Sequence, residues 1–192
     1  MQAFLIATGL VALAEIGDKT QLLAFMLAAR FKRPWPIVAG IFVATIFNHA
    51  VAGALGSWLT GLIGPMALRW ILGVSFIAMA GWMLIPDKLD EDDTPKPGHG
   101  VFVTTVIAFF LAEMGDKTQI ATIALAARFP GEFIGVVAGT TAGMMLANVP
   151  AVLVGDRLAH KLPVKLVHRV AAVIFAVLGA VTLAGGAERF GF

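Results

Sequence analysis

The sequence predicts an all-α integral membrane protein of six transmembrane helices, built as two inverted three-helix repeats. Three observations lead to this prediction: the composition, six long apolar runs, and one polar motif that occurs twice. Hydrophobic residues make up 59% of the 192 residues and charged residues only 14%, and the mean hydropathy is +0.89. A soluble domain carries about 25% charged residues, so this chain is expected to lie in a lipid bilayer.

Six apolar runs follow one another along the chain, and each reaches the length of about 20 residues that a helix needs to cross the hydrocarbon core. The runs are continuous instead of alternating, which favours helices over the strands of a barrel. The first, second and fourth are longer than needed, which predicts a tilt or a break in the helix. They cover residues 3–29, 36–63, 66–85, 101–127, 133–155 and 167–187.

An internal repeat relates the two halves of the chain. The motif Glu-x-Gly-Asp-Lys-Thr-Gln stands at residues 15–21 in the first run and at residues 113–119 in the fourth, and Phe76 matches Phe175 at nearly the same spacing. Three spans per repeat is an odd number, so the two halves enter the membrane in opposite orientations. That is the architecture of secondary transporters, whose site lies near mid-membrane between the repeats.

The repeats are predicted to cover residues 1–86 and 101–192, with an acidic linker over 87–100. Five carboxylates and two prolines are typical of a solvated loop. Nine Lys and Arg residues fall after the first, third and fifth spans, and three fall on the other side. The positive-inside rule therefore places the linker in the cytoplasm and both termini outside it.

The most polar part of each repeat lies midway along its first span, where ionisable side chains are costly and mark ion or proton pathways. Residues three apart share a helix face, which groups Glu15 with Asp18 and Glu113 with Asp116. The motif glutamines extend this stripe, whereas the threonines point elsewhere unless the helix is broken. The side chains expected to assist the four carboxylates are Gln21, Gln119, Thr20, Thr118, Lys19 and Lys117.

A helix break at Gly17 and Gly115 would let the two motif helices cross and bring the four carboxylates into one pocket. The donors are all oxygen, which suits Mn²⁺, Ca²⁺ or Mg²⁺ better than the metals that prefer His or Cys. Four carboxylates and two lysines leave two negative charges, which one divalent cation or two protons neutralise. The pattern thus predicts exchange of a divalent cation for protons. Lys19, four residues after Glu15, either holds the empty site or stays paired and leaves Asp18 as the main ligand.

Asn48, His49 and Asn148 are further polar residues deep in the spans, and His49 aligns with Asn148 in the repeat. They either join helices by packing and hydrogen bonds or, for His49, relay protons. The chain has no Cys, which excludes thiol chemistry and Cys-based metal sites. No basic and aromatic stripe predicts nucleic-acid binding. We expect no catalytic activity and no cofactor, only the transported cation, protons and the bilayer.

Residues 14–21, Ala-Glu-Ile-Gly-Asp-Lys-Thr-Gln, and 112–119, Ala-Glu-Met-Gly-Asp-Lys-Thr-Gln, resemble the paired signature of small six-span cation/proton exchangers. That family includes eukaryotic Golgi Ca²⁺/Mn²⁺ transporters and bacterial manganese exporters, within the LysE superfamily. The resemblance covers the full length and implies a compact bacterial form in the inner membrane that exports Mn²⁺, or Ca²⁺. It also implies that the cation ligands are Glu15, Asp18, Glu113 and Asp116.

Three other functions fit parts of the pattern. An exporter of a cationic metabolite would need apolar or aromatic surface for an organic stem, which the motif lacks. An intramembrane aspartyl hydrolase would need Gly-x-Gly-Asp, but Glu15 and Glu113 occupy the first glycine position, and the chain has no Tyr. A passive channel would need no coupling to protons.

Overall fold

The computed structural model describes residues 1–85, 100–154 and 164–185, and all regular structure within these ranges is α-helical. The prediction of an all-α chain is confirmed to that extent. The acidic linker lies outside the described residues except for Gly100, and so do the last residues of the fifth and sixth predicted runs. The described helices are α1 (Gln2–Glu15), α2 (Lys19–Phe31), α3 (Pro34–Leu62), α4 (Pro65–Trp82), α5 (Val101–Glu113), α6 (Lys117–Arg128), α7 (Phe133–Val154) and α8 (Val164–Leu183).

Four of the described helices, α3, α4, α7 and α8, are long and apolar enough to cross a membrane. The helices α1 and α5 are apolar but shorter, with 14 and 13 residues. The first and fourth predicted runs are therefore each divided, into α1 with α2 and α5 with α6. Large apolar side chains such as Phe47 (58% exposed) and Leu146 (62% exposed) face outward, as expected of a bundle surrounded by lipid.

Prolines explain where the second and third predicted runs begin as helices. Pro34 and Pro65 are the first residues of α3 and α4, a position where the missing N–H costs no helical hydrogen bond. A third proline, Pro150, lies inside α7, where it removes one hydrogen bond and perturbs the helix two residues beyond Asn148.

The two halves of the chain interlock. The helix α3 packs on α5 and α6, and α7 packs on α1 and α2, so each long helix contacts the divided helix of the other half. In addition, α3 contacts α7 and α4 contacts α8. If α1–α4 are exchanged with α5–α8 in this description, the same set of contacts results. A structural repeat produces this exchange pattern.

Glycines at matching positions allow the close crossings between the halves. A Cβ atom on Gly40 of α3 would lie 2.7 Å from Thr105 Cβ in α5. A Cβ atom on Gly139 of α7 would lie 2.5 Å from the carbonyl oxygen of Phe4 in α1. Both distances are too short for a real side chain, so small residues are required where these helices cross.

The packing of α4 and α8 departs from the exchange pattern. The helix α8 packs on α1, whereas α4 packs on α6. If both halves packed in the same way, α4 would also contact α5, and α8 would also contact α2. Within the described ranges, each of these pairs makes at most marginal contact. The two motif regions are therefore covered differently, and this difference reaches the site.

Candidate metal centre

Both copies of the motif interrupt a helix at the same place. The helix α1 ends at Glu15, Gly17 has φ +83°, and α2 begins after Asp18. In the second half, α5 ends at Glu113 and Gly115 has φ +75°. These positive φ angles explain why glycine occupies the centre of each motif, because other L-residues are strained there. The broken helices that the sequence suggested are thus present in both halves.

The motif glutamines stabilise the breaks. Gln21 Oε1 accepts a hydrogen bond of 2.8 Å from the Gly17 N–H, and Gln119 Oε1 accepts one of 2.8 Å from the Gly115 N–H. Gln21 Nε2 also donates to the Ala147 carbonyl oxygen in α7 at 3.0 Å. The stripe of motif side chains expected on a regular helix therefore does not extend to the glutamines, because the helix is broken as the glycines suggested. Each glutamine instead binds a backbone N–H that the break exposes.

Three buried carboxylates converge between the halves. Oxygen atoms of Glu15, Asp18 and Asp116 all lie within 4.8 Å of one another. These residues are 0%, 2% and 5% exposed. The Glu15 Oε1 and Asp116 Oδ2 atoms are buried and accept no hydrogen bond from any described residue. The cluster thus offers unused oxygen donors from both repeats, which is the chemistry that a hard divalent cation needs.

Glu113 lies outside this group of three. It is 1% exposed, and both of its oxygens are occupied. Thr45 donates to Oε1 at 2.7 Å, and Asn48 donates to Oε2 at 3.2 Å and to the Phe110 carbonyl oxygen at 3.2 Å. In the described conformation, Glu113 is therefore held by α3.

The motif threonines point into the site because the helices are broken. Thr20 donates to Glu15 Oε2 at 2.5 Å, and Thr118 donates to Asp116 Oδ1 at 3.0 Å. The Gln119 N–H donates to the same Asp116 oxygen at 2.9 Å, so Asp116 caps α6. Each hydroxyl leaves the other oxygen of its carboxylate partner available.

Lys117 forms an ion pair across the halves. Lys117 lies 3.4 Å from Asp18 Oδ1, and both side chains are 3% exposed. It also donates to the Ile85 carbonyl oxygen at 3.5 Å. The break separates Lys19 from Glu15, so the intrahelical pair that their spacing predicts is not formed among the described residues. Lys19 instead lies close enough to Glu113 and Asp116 for its charge to act on both.

The polar residues of the long helices have separate environments. Asn148 donates to Glu15 Oε2 at 3.5 Å and to the Met144 carbonyl oxygen at 3.1 Å. By these contacts Asn48, which binds Glu113, plays the part that Asn148 plays at Glu15, although the sequence repeat aligns His49 with Asn148. His49 is fully buried, and neither ring nitrogen has a hydrogen-bond partner among the described residues.

Sequence reasoning missed the residues that approach the site from other helices. Thr45 donates a hydrogen bond to Glu113. The sequence feature that could have identified Thr45 is its position as a polar residue inside an apolar run. His168 Nε2 lies 2.7 Å from the Ile16 carbonyl oxygen, and a Cβ atom on Gly17 would overlap the Val164 side chain. No described residue covers the break at Gly115 in this way, since none lies within 4 Å of a Cβ atom placed there.

Interlocked apolar helices around a buried carboxylate cluster define a membrane transport protein for cations. The chain belongs to the family of the divalent cation/proton antiporter GDT1, whose family model matches residues 3–91 and again residues 101–189. The two matches coincide with the two halves that share the motif. The description of this family is that of a transporter and not of an enzyme.

Known proteins of similar length support the assignment. A protein of Vibrio cholerae serotype O1 named "Putative manganese exporter" is 50% identical over 182 residues, which are 95% of this chain and 90% of that protein. The GDT1-like protein sll0615 of Synechocystis is 31% identical over 202 residues, which are 95% of this chain and 97% of that protein. No solved structure matches this chain.

Proposed function

We propose that this chain exports Mn²⁺ from a bacterial cytoplasm across the inner membrane in exchange for protons. The observation that carries the proposal is the convergence of Glu15, Asp18 and Asp116, in which Glu15 Oε1 and Asp116 Oδ2 are buried and accept no hydrogen bond from a described residue. Ionisable groups buried at membrane depth are costly unless they serve an ion pathway. A Mn²⁺ assignment is supported by the relative that is 50% identical and carries the name of a manganese exporter. Ca²⁺ is the second candidate, since it accepts the same oxygen donors.

The charge of the site supports exchange over simple binding. The proposed ligands are Glu15, Asp18 and Asp116, with Glu113 beside them, and the nearby cations are the two motif lysines. With all of these groups ionised, two negative charges remain inside an apolar bundle. One divalent cation or two protons balance them, so each occupant can leave only when the other enters.

The proposed architecture has six spans, in which α1 with α2 and α5 with α6 each cross the membrane as a broken helix. The repeats over residues 1–86 and 101–192 are proposed to be inverted, with a cytoplasmic linker and both termini outside the cytoplasm. The exchange pattern of the helix contacts and the two family matches support a repeat of this kind. Broken helices at a shared site are a recurrent feature of inverted-repeat transporters.

Proteoliposomes with a pH-sensitive dye inside test the proposed exchange directly. We expect Mn²⁺ entry to drive proton exit, Ca²⁺ to move more slowly, and Mg²⁺ least because it dehydrates reluctantly. A pH gradient imposed without Mn²⁺ should be stable over the same period. Mn²⁺ flux with no proton counter-flow across a range of imposed gradients would rule out the antiport and leave a passive pathway.

The unequal cover of the two breaks predicts a second conformation. In the described conformation, His168 of α8 contacts Ile16. Arg69 occupies the position equivalent to His168, since the two lie seven residues before the matched Phe76 and Phe175. Alternating access by exchange of the two halves would therefore bring Arg69 to Met114 beside Gly115.

Engineered disulfides test this second conformation, because the natural chain has no Cys. We expect Ile16→Cys with His168→Cys and, separately, Met114→Cys with Arg69→Cys to cross-link under oxidation. Each cross-link should stop Mn²⁺ flux, and a reductant should restore it. Failure of the second pair to cross-link at any Mn²⁺ concentration or pH, while the reduced protein transports, would contradict the exchange of halves.

A further inference from the structure

A cavity of about 250 Å³ lies at one end of the bundle, away from the carboxylate cluster. It forms where α3 and α6 end and α4 begins, and Arg128 in its wall stands at the opposite end of α6 from Lys117. At about 30 Å³ of liquid volume per water, the cavity has room for a phosphate group and several waters. Its polar wall consists of Thr60, Arg69, Arg128 and Thr182.

Both arginines in this cavity lack an anionic partner among the described residues. Arg69 Nε and Arg128 Nη2 are buried and donate no hydrogen bond to any described atom. Both side chains lie near helix C-termini, Arg128 at the end of α6 and Arg69 beside Gly185 just after α8. The partial negative charge of those termini attracts the guanidinium groups but leaves these N–H groups unsatisfied. A cavity that contains two guanidinium groups with unsatisfied N–H donors is suited to bind an anion with several acceptor oxygens.

An apolar cavity of about 130 Å³ adjoins the first and shares Arg128 and Thr182 in its wall. The rest of its wall is apolar and is formed by Ile6, Phe76, Leu125, Phe129, Val177, Leu178 and Val181. A polar cavity with two arginines beside an apolar slot matches a molecule with a phosphate at one end and hydrocarbon at the other. Free phosphate would leave the apolar slot empty.

We propose that these two cavities bind an anionic phospholipid. Its headgroup phosphate accepts hydrogen bonds from Arg69 and Arg128, and part of an acyl chain occupies the slot beside Phe76 and Val181. Arginine forks match phosphate oxygens in geometry and charge. The helix ends place the arginines at the level of headgroups, and the slot runs from them into the apolar bundle. This lipid joins α4, α6 and α8 in the described conformation, and its binding does not depend on which cation the chain transports.

Lipid binding to the full-length protein in detergent tests the proposal, with phosphatidylglycerol, phosphatidylcholine and sodium phosphate as probes in native mass spectrometry. We expect wild type to retain phosphatidylglycerol over phosphatidylcholine. Arg69→Gln and Arg128→Gln should each weaken retention about tenfold, since each removes a charge-assisted hydrogen bond. Arg33→Gln is the matched control, because Arg33 is exposed and lines neither cavity.

Val181→Phe separates a lipid from a free anion. It fills the apolar slot and leaves both arginines in place, so retention of phosphatidylglycerol should fall while binding of inorganic phosphate is unchanged. Helical circular dichroism and a monodisperse elution profile confirm that each variant is folded. Phosphate that displaces the lipid at similar concentration, or variants that all retain lipid as wild type does, would overturn the proposal.

Discussion

Glu15→Gln and Asp116→Asn are each expected to abolish Mn²⁺ flux in proteoliposomes. Each substitution preserves the shape of the side chain and removes one negative charge from a group whose oxygens lie within 4.8 Å of one another. Because the cluster is buried, water cannot replace the lost charge. Removal of one charged ligand should lower Mn²⁺ affinity by about 10- to 100-fold. The charge balance that couples Mn²⁺ to two protons is lost as well, so flux should fall further than affinity.

Mn²⁺ binding to the detergent-solubilised protein, measured by calorimetry, separates the loss of affinity from the loss of flux. Glu132→Gln provides the matched control, because that carboxylate is half exposed and pairs with the N-terminal amine at 3.8 Å, outside the cluster. We expect wild-type flux from the control. Wild-type flux in Glu15→Gln or Asp116→Asn would remove the proposed ligand set.

Glu113→Gln should reduce Mn²⁺ affinity less than Asp116→Asn does. Both Glu113 oxygens already accept hydrogen bonds, from Thr45 and Asn48, whereas Asp116 Oδ2 accepts none from a described residue. A cation must therefore compete for Glu113 but not for Asp116. An equal or larger loss of affinity in Glu113→Gln would place its carboxylate in direct contact with the bound cation.

The carboxylate cluster illustrates how far the sequence alone leads. A repeated acidic motif inside apolar runs predicts a shared site in the bundle, because few arrangements tolerate such residues in lipid. The position of Thr20 and Gln21 could not be predicted, since a helical period no longer describes side-chain directions beyond a glycine with φ +83°. The spacing rule that groups Glu15 with Lys19 fails for the same reason.

Contacts between the halves were beyond sequence reasoning for a different reason. Thr45 and Asn48 reach Glu113 only because α3 packs on the divided helix of the other half. The sequence contains the polar residues but not this interlocked packing. The contact of His168 with Ile16 has no equivalent among the described residues of the other half, and a repeat predicts only what the two halves share. Such contacts depend on the conformation as well as on the sequence.

Gly17→Ala is expected to destabilise the protein strongly, and Gly115→Ala much less. Both glycines have positive φ, so each substitution carries a backbone cost of about 1–2 kcal/mol. At Gly17 the new methyl group also overlaps the Val164 side chain at the start of α8, which adds about 1–3 kcal/mol of overpacking. At Gly115 the methyl group meets no described residue within 4 Å. The two halves therefore provide a matched pair that differs only in the cover of the break.

Thermal unfolding in detergent, together with Mn²⁺ flux, tests this difference between the glycines. The melting temperature should fall more for Gly17→Ala than for Gly115→Ala. Adding Val164→Ala should return the Gly17 variant to the level of Gly115→Ala, because the double variant removes the overlap and leaves only the backbone cost. Mn²⁺ flux should be lower in Gly17→Ala than in the double variant, since in the latter α8 can again pack over Ile16. Equal destabilisation by the two single variants, or no rescue by Val164→Ala, would mean that α8 does not cover the first break in the membrane.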